Sequence, residues 1–169
     1  WQQIDKIISD KSKQLKILEV GADNGSFLKL IKEKNLNSEL YAIEPNNNMH
    51  NQLKNITEKN FNNIEEIDSN YKFDLIVSNP PYICSHQIKN LADDVKKYEP
   101  RIALDGGNDG LDVIKKVIYK SKNVLKIKGM LALEIGYGQF KKVSQILKLQ
   151  GFRTKFLIKD YRNNIRCII

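Results

Sequence analysis

Apolar residues fall along this chain in short unbroken runs, separated by stretches where they recur every three or four positions. Runs of the first kind read as buried strands and stretches of the second as amphipathic helices. LKILEV (15–20) ends at Gly21 and is expected as the first strand. SFLKLIKEKN (26–35) places Phe27, Leu28, Leu30 and Ile31 on one helical face with lysines opposite. ELYAIEP (39–45), stopped by Pro45, is the second strand. NNNMHNQLKNITEKN (46–60) follows as a polar helix with a thin stripe of Met49, Leu53 and Ile56. FDLIVS (73–78) is a strand that runs into two consecutive prolines. Beyond it, GLDVIKKVIYKSKNVLK (110–126) has the spacing of a long helix, MLALEIG (130–136) of a strand, and QFKKVSQILKLQG (139–151) of a helix closed by Gly151. FRTKFLI (152–158) and NIRCII (164–169) are expected as two last strands around the turn-like KDYRNN.

Strands alternating with helices require crossover connections, hence a mostly parallel α/β sheet covered by helices on both faces. The two strands at the end, joined by a turn, predict a C-terminal antiparallel hairpin. No repeat, linker or low-complexity stretch interrupts the pattern, so one domain is expected over residues 15–169, with residues 1–14 as a linker or helix tail. In such sheets, ligands bind beyond the carboxyl ends of the strands. Three strand ends stand out there: EVGADNG, AIEPN and SNPPY.

Composition narrows this picture. With 169 residues, 41% of them hydrophobic and 28% charged, the chain can bury a core and is not of the disordered class. Its apolar runs fall well short of the roughly 20 residues of a membrane span. No signal peptide is read at the start. The chain opens at Trp1 rather than Met, which is expected of a domain cut from something longer. Two cysteines, Cys84 and Cys167, stand far apart without metal-ligand spacing; they imply a reducing compartment, here read as cytoplasmic, with neither disulfide nor metal. The net charge of +8 is spread mostly as lysines along the predicted helices. It is read as a solvated basic surface that also suits an acidic protein partner.

EVGADNGS (19–26) leads from a strand through a loop with two glycines into a helix. Gly21 allows a tight turn and Gly25 a close approach of the helix start to a ligand. Glu44 stands 23 positions after Gly21, near the roughly 20-residue offset at which an acidic side chain meets a ribose. A carboxylate can accept from both ribose hydroxyls. Two ligands fit this arrangement, a dinucleotide and S-adenosylmethionine.

NPPY (79–82) separates the two. Methyl transfer to a planar amide or amino nitrogen requires both N–H groups to be held and the nitrogen to be aimed at the sulfonium methyl. The Asn79 side-chain oxygen and the Pro80 carbonyl can accept those two hydrogens, and the prolines fix the backbone that carries them. Tyr82 can stack on the flat acceptor group. Hydride transfer has no use for such a set.

VSNPPYI (77–83) resembles the signature of the HemK-type protein-glutamine methyltransferases, which modify the glutamine of class I peptide-chain release factors. YEPRIALDGGNDGLDVI (98–114) is similar to that family's stretch after the catalytic loop, LALEIGYGQ (131–139) to its fifth strand, and KDYRNNIRCII (159–169) to its terminal turn and last strand. The resemblance runs from residue 15 to the end. It implies a Rossmann-like class I fold dependent on S-adenosylmethionine, with a seven-stranded sheet. By position it implies that Gly21, Ala22, Asp23, Asn24 and Gly25 line the methionine part of the cofactor and that Glu44 holds its ribose. Asn79, Pro80, Pro81 and Tyr82 would hold the substrate amide, with Asn79 also against the cofactor, and Glu99 and Arg101 would order the loop around the site. The chain departs from the family at Asp23, which stands where the loop's middle glycine is usual. The segment between Glu44 and Asn79 is shorter than usual and lacks the adenine contact of the third strand end, for which Asn62 or Asn63 would substitute. The family's N-terminal helical domain is not read in this stretch, and residues 1–13 are expected to be the tail of its linker.

Two other readings compete. NPPY-like loops also grip flipped bases, so the chain can be read as an adenine amino-group methyltransferase on DNA or RNA. The absence of a target-recognition domain and the presence of EPRIALDGGNDGL count against that reading. Asp23 and the shortened third-strand region motivate the other, a degenerate relative that keeps the fold to bind a partner.

Overall fold

Unbroken apolar stretches flanked by glycine or proline become the central strands. β1 (Lys16–Val20), β2 (Glu39–Ile43) and β4 (Phe73–Ser78) occupy the spans their apolar residues predict. The computed structural model describes residues 4, 5, 8 and 12–169, apart from the side chains of Asp93, Lys96 and Tyr98. The tail expected over residues 1–14 lies for the most part outside the described residues. The chain forms two units, Trp1–Ser78 with Asn123–Ala132, and Asn79–Lys122 with Leu133–Ile169.

In the first unit β1 pairs in parallel with β2 on one side and β4 on the other, so that Val20 lies opposite both Ile43 and Ser78. β3 (Lys59–Phe61) adds in parallel to β2. Ile17, Leu18, Leu40, Ala42, Leu75 and Ile76 are almost fully buried in these strands. Asp74 ties down their other ends, accepting from the Lys16 N–H at 2.8 Å and from Lys126 Nζ at 2.7 Å. Helix α1 (Ser26–Lys34) buries Leu28 and Ile31, while Leu30 of its expected apolar face is exposed and Phe27 half-buried. Helix α2 (Asn47–Leu53) starts at Asn46, whose side chain accepts the Asn48 N–H.

The second unit holds the short helices α3 (Asp93–Tyr98) and α4 (Arg101–Leu104), most of α5 (Asp112–Val124), and α6 (Phe140–Leu149). There the end of β5 (Leu125–Glu134) pairs antiparallel with β7 (Ile165–Ile168), and β7 with β6 (Leu157–Lys159), which is the expected terminal hairpin. Followed through β5, the strand order is β3-β2-β1-β4-β5-β7-β6. Among the described residues, no helix is long and apolar enough to cross a membrane.

Four expectations are corrected. The helix read over 46–60 stops at Leu53, where the Thr57 hydroxyl takes the Leu53 carbonyl at 2.9 Å; the residues beyond it supply β3. The helix read over 110–126 spans Asp112–Val124, and the strand read over 130–136 already begins at Leu125. The strand read over 152–158 shrinks to Leu157–Lys159, because Arg153, Thr154 and Lys155 are exposed and the pairing with β7 slips at Ile158/Lys159.

Candidate active site

The carboxyl ends of β1 and β2 carry the first group of expected residues. Beyond Val20 the chain turns through Gly21 and Ala22, whose N–H groups both donate to the Ile43 carbonyl, at 2.9 and 3.1 Å. Glu44, 8% exposed, then closes the loop with both carboxylate oxygens. Oε2 accepts the Asp23 N–H at 2.8 Å and Oε1 the Asn46 N–H at 2.9 Å. Each oxygen keeps acceptor capacity, since an ionised carboxylate has about four lone-pair sites. The expected acidic residue is thus also the clasp between the two strand ends.

Asp23 takes φ +47°, a left-handed conformation that costs an L-residue roughly 1 kcal/mol and that glycine adopts freely. Its side chain is exposed. Gly25, at φ +74°, is required by packing as well as by conformation: a Cβ there would come 2.6 Å from Leu53 Cδ2 of α2. Asn24 is exposed and its Oδ1 accepts the Ser26 N–H at 3.0 Å, which launches α1. Its side chain therefore serves the helix start. Asn62 and Asn63, the expected substitutes at the third strand end, are bonded to Glu66 through the Asn62 N–H and both ends of the Asn63 amide.

One residue of this group escaped the sequence reading. Glu19, the last polar residue of β1, has its Oε2 buried with no hydrogen-bond partner among the described residues. Burial first, and then the charges of Asp23 and Glu44, push its carboxyl up to about 8. The signal was present, since a carboxylate inside an apolar strand just before a glycine loop is costly unless something cationic compensates it. Three carboxyl groups at one pair of strand ends suit a positively charged ligand.

The second group lies in the other unit. Asn79 is exposed, Pro80 buried, and Pro81 and Tyr82 half-buried. The chain after them is laced to the stretch that follows α3. Ile83 donates to the Leu104 carbonyl at 3.1 Å and accepts from the Gly106 N–H at 2.8 Å, and Ser85 N donates to the Gly107 carbonyl at 2.9 Å. Asp105 gathers this corner by accepting from the Ser85 hydroxyl at 2.6 Å and the Gly107 N–H at 3.0 Å. Arg101 pairs with the same carboxylate at 3.1 Å. Those bonds hold Asp105 below the usual carboxylate range, the Ser85 hydroxyl contributing most. Gly110, at φ +71°, lets the backbone pass Tyr82, whose carbonyl oxygen would lie 2.4 Å from an added Cβ.

Tyr82 is held from three sides. Arg166 of β7 donates to its hydroxyl at 2.9 Å and lays its guanidinium over the ring, 5.4 Å from the centroid. The same guanidinium reaches Glu134 of β5 at 3.3 Å, and the Tyr82 hydroxyl lies 3.4 Å from that carboxylate. From the backbone side, Gln139 donates to the Tyr82 carbonyl at 3.0 Å. Sequence reading placed Tyr82 over the acceptor; its neighbours in this unit are Arg166 and Glu134. Cys167, beside Arg166 on β7, has its thiol pushed up to about 11 by burial.

The model of the Eco57I restriction-modification methylase family matches residues 3–166. A release factor glutamine methyltransferase of Fusobacterium nucleatum is 36% identical over 162 residues, covering 90% of this chain and 46% of that protein. One of Francisella tularensis is 32% identical over 168 residues, covering 95% of this chain and 59% of that protein. The chain therefore spans about half the length of these relatives. Among solved structures, the ribosomal protein L11 methylase of Lactobacillus delbrueckii subsp. bulgaricus superposes with a TM-score of 0.65 at 16% identity, covering 99% of this chain and 77% of that one. That likeness, with the strand order above, gives the fold as the Rossmann-like one of class I methyltransferases.

Proposed function

The chain belongs to the Eco57I restriction-modification methylase family, and on that premise we propose that it is an S-adenosylmethionine-dependent methyltransferase acting on the side-chain amide of a protein glutamine. A peptide-chain release factor in the cytoplasm is the proposed substrate, the acceptor in the name of its relatives. The catalytic domain is taken as residues 15–169, with residues 1–14 as the tail of a linker.

The observation that carries this reading is the pairing of Ser78 with Val20. The chain enters NPPY from the same end of the sheet at which the EVGADNG loop leaves β1. S-adenosylmethionine is a cation at its sulfonium and its ammonium, and the carboxyl cluster of Glu19, Asp23 and Glu44 with its orphaned buried oxygen fits such a ligand. When bound, it supplies an electrophilic methyl group.

The chain's own residues do the remaining work. Gly21, Ala22, Asp23, Asn24 and Gly25 line the methionine part, and Glu44 keeps lone pairs for the ribose hydroxyls while it clasps the loop. Asn79 and the Pro80 carbonyl accept the two N–H groups of the acceptor amide, which orients its nitrogen without a general base. The prolines limit rotation of that backbone. Tyr82, braced by Arg166 and Glu134, gives the acceptor a fixed aromatic neighbour.

A second reading is transfer to an adenine amino group of DNA or RNA, and the description of the family model as a restriction-modification methylase is the reason to test it. One assay decides between them. The chain is incubated with labelled S-adenosylmethionine and, in separate arms, a release factor, duplex and single-stranded DNA, and RNA. Label on a glutamine of the release factor is expected; label on nucleic acid alone overturns the glutamine reading. Calorimetric titration with the cofactor tests the premise that the site binds it at all.

A further inference from the structure

Gln139 precedes α6 and lies far from NPPY in sequence, yet its side-chain amide is fully committed to that segment's surroundings. Nε2 donates to the Tyr82 carbonyl at 3.0 Å and to the Gly110 carbonyl at 3.0 Å. Oε1 accepts the Gly136 N–H at 2.8 Å. Both amide hydrogens and the amide oxygen are thereby used, and only this orientation of the group satisfies all three partners. Space is reserved for it on two sides. An added Cβ at Gly110 would lie 2.8 Å from Nε2, and one at Gly136 would lie 2.9 Å from Oε1 and 3.0 Å from Tyr82 Cδ2.

We infer that Gln139 is a positioning residue for methyl transfer, fixing the Tyr82 peptide and through it the acceptor-binding carbonyl of Pro80. Proline rings fix φ at Pro80 and Pro81, so the freedom left in this segment is mainly rotation about ψ. A carbonyl pinned at Tyr82 restricts that rotation from the downstream end, while Arg166 and Glu134 hold the phenol. Methionine at this position would fill the same space with no donor. Glutamate would keep the shape, place a carboxylate against two carbonyl oxygens, and regain one donor only when protonated.

The inference rests on the methyltransferase reading above, and its test separates the two. Q139M and Q139E are compared with the wild type in kcat and KM for the protein acceptor, in affinity for S-adenosylmethionine, and in amide hydrogen exchange. A misplacement on the order of 1 Å can cost about 10²-fold, and a kcat loss of that order is expected for Q139M with cofactor affinity unchanged. Exchange should quicken in peptides covering 82–84 and 106–110 and stay as it was in those covering β1 and β2. Q139E should recover part of its loss relative to wild type as pH falls and its carboxyl protonates, which a purely space-filling role would not produce. Wild-type turnover and exchange in both variants, or cofactor affinity falling in step with kcat, overturns the inference. Should the wild type methylate no acceptor, the functional reading fails, and the exchange comparison still decides whether Gln139 holds the segment.

Discussion

The two strand-end regions are organised on opposite principles. The β1–β2 end is local: Glu44 joins two turns that lie within 25 residues of each other, one backbone N–H from each turn donating to its carboxylate. The NPPY region is assembled from distance. Tyr82 is braced by Gln139, Glu134 and Arg166, 52 to 84 positions away, and its flanking backbone by residues 104–107. A local clasp can be made or broken by one side chain, whereas the distributed brace shares its load. The first region is also charged with little compensation, and the second pairs its charges.

The largest effect tests the functional side of this contrast. Asn79→Ala is expected to abolish transfer, with at least about 10²-fold loss of kcat for a group that orients the acceptor, while affinity for S-adenosylmethionine stays near wild type. Equal loss of both in calorimetry and turnover would mean that Asn79 belongs to the cofactor side. Next comes Glu44→Ala. Hydrogen bonds to a charged group are worth roughly 1.5–3 kcal/mol each, so loss of the clasp should weaken cofactor binding by about tenfold or more and lower thermal stability together. A change in binding without one in melting temperature would separate the clasp from the ligand.

A third expectation concerns pH. The Glu19 carboxyl is raised to about 8 in the folded chain, above its ordinary value of 4.5. The folded state therefore holds a proton that the unfolded state has released, and stability falls as pH rises between about 4.5 and 8. Denaturant titrations should show that decline in the wild type and a flatter profile in Glu19→Gln. The smallest effect is that of Asp23→Asn, which removes one of the charges raising Glu19. The same decline should end at a lower pH with little change in melting temperature, and an unmoved profile would leave burial and the Glu44 charge as the causes.

The same contrast explains what could be read from the sequence. β1, β2 and β4 show as short, mostly apolar runs because both faces of a central parallel strand are largely buried, and the Gly21–Glu44 spacing is a local signal. β3 did not show: KNF is too short to register a period, and it sits inside a stretch whose polar, helix-compatible residues read as one helix to residue 60. β6 was overextended because the apolar residues of FRTKFLI were read as one strand, although Arg153, Thr154 and Lys155 are exposed and the strand begins only at Leu157. The roles of Asp105, Gln139 and Arg166 belong to tertiary contacts that no local pattern encodes. Only the resemblance of residues 98–114, 131–139 and 159–169 to a known family pointed to the segments that carry them. Glu19 was legible in principle, as a carboxylate where the pattern called for an apolar residue.

The two thiols of this chain differ in chemistry. Burial pushes the Cys167 thiol up to about 11, and Cys84, half-buried as Cys167 is, stands two residues after Tyr82. Because only the thiolate attacks, a maleimide dye at neutral pH should label Cys167 slowly, so that fast labelling reports on Cys84. The protein thus carries a native attachment point for a fluorophore beside the NPPY segment, and local changes there can be followed by emission without engineering a cysteine.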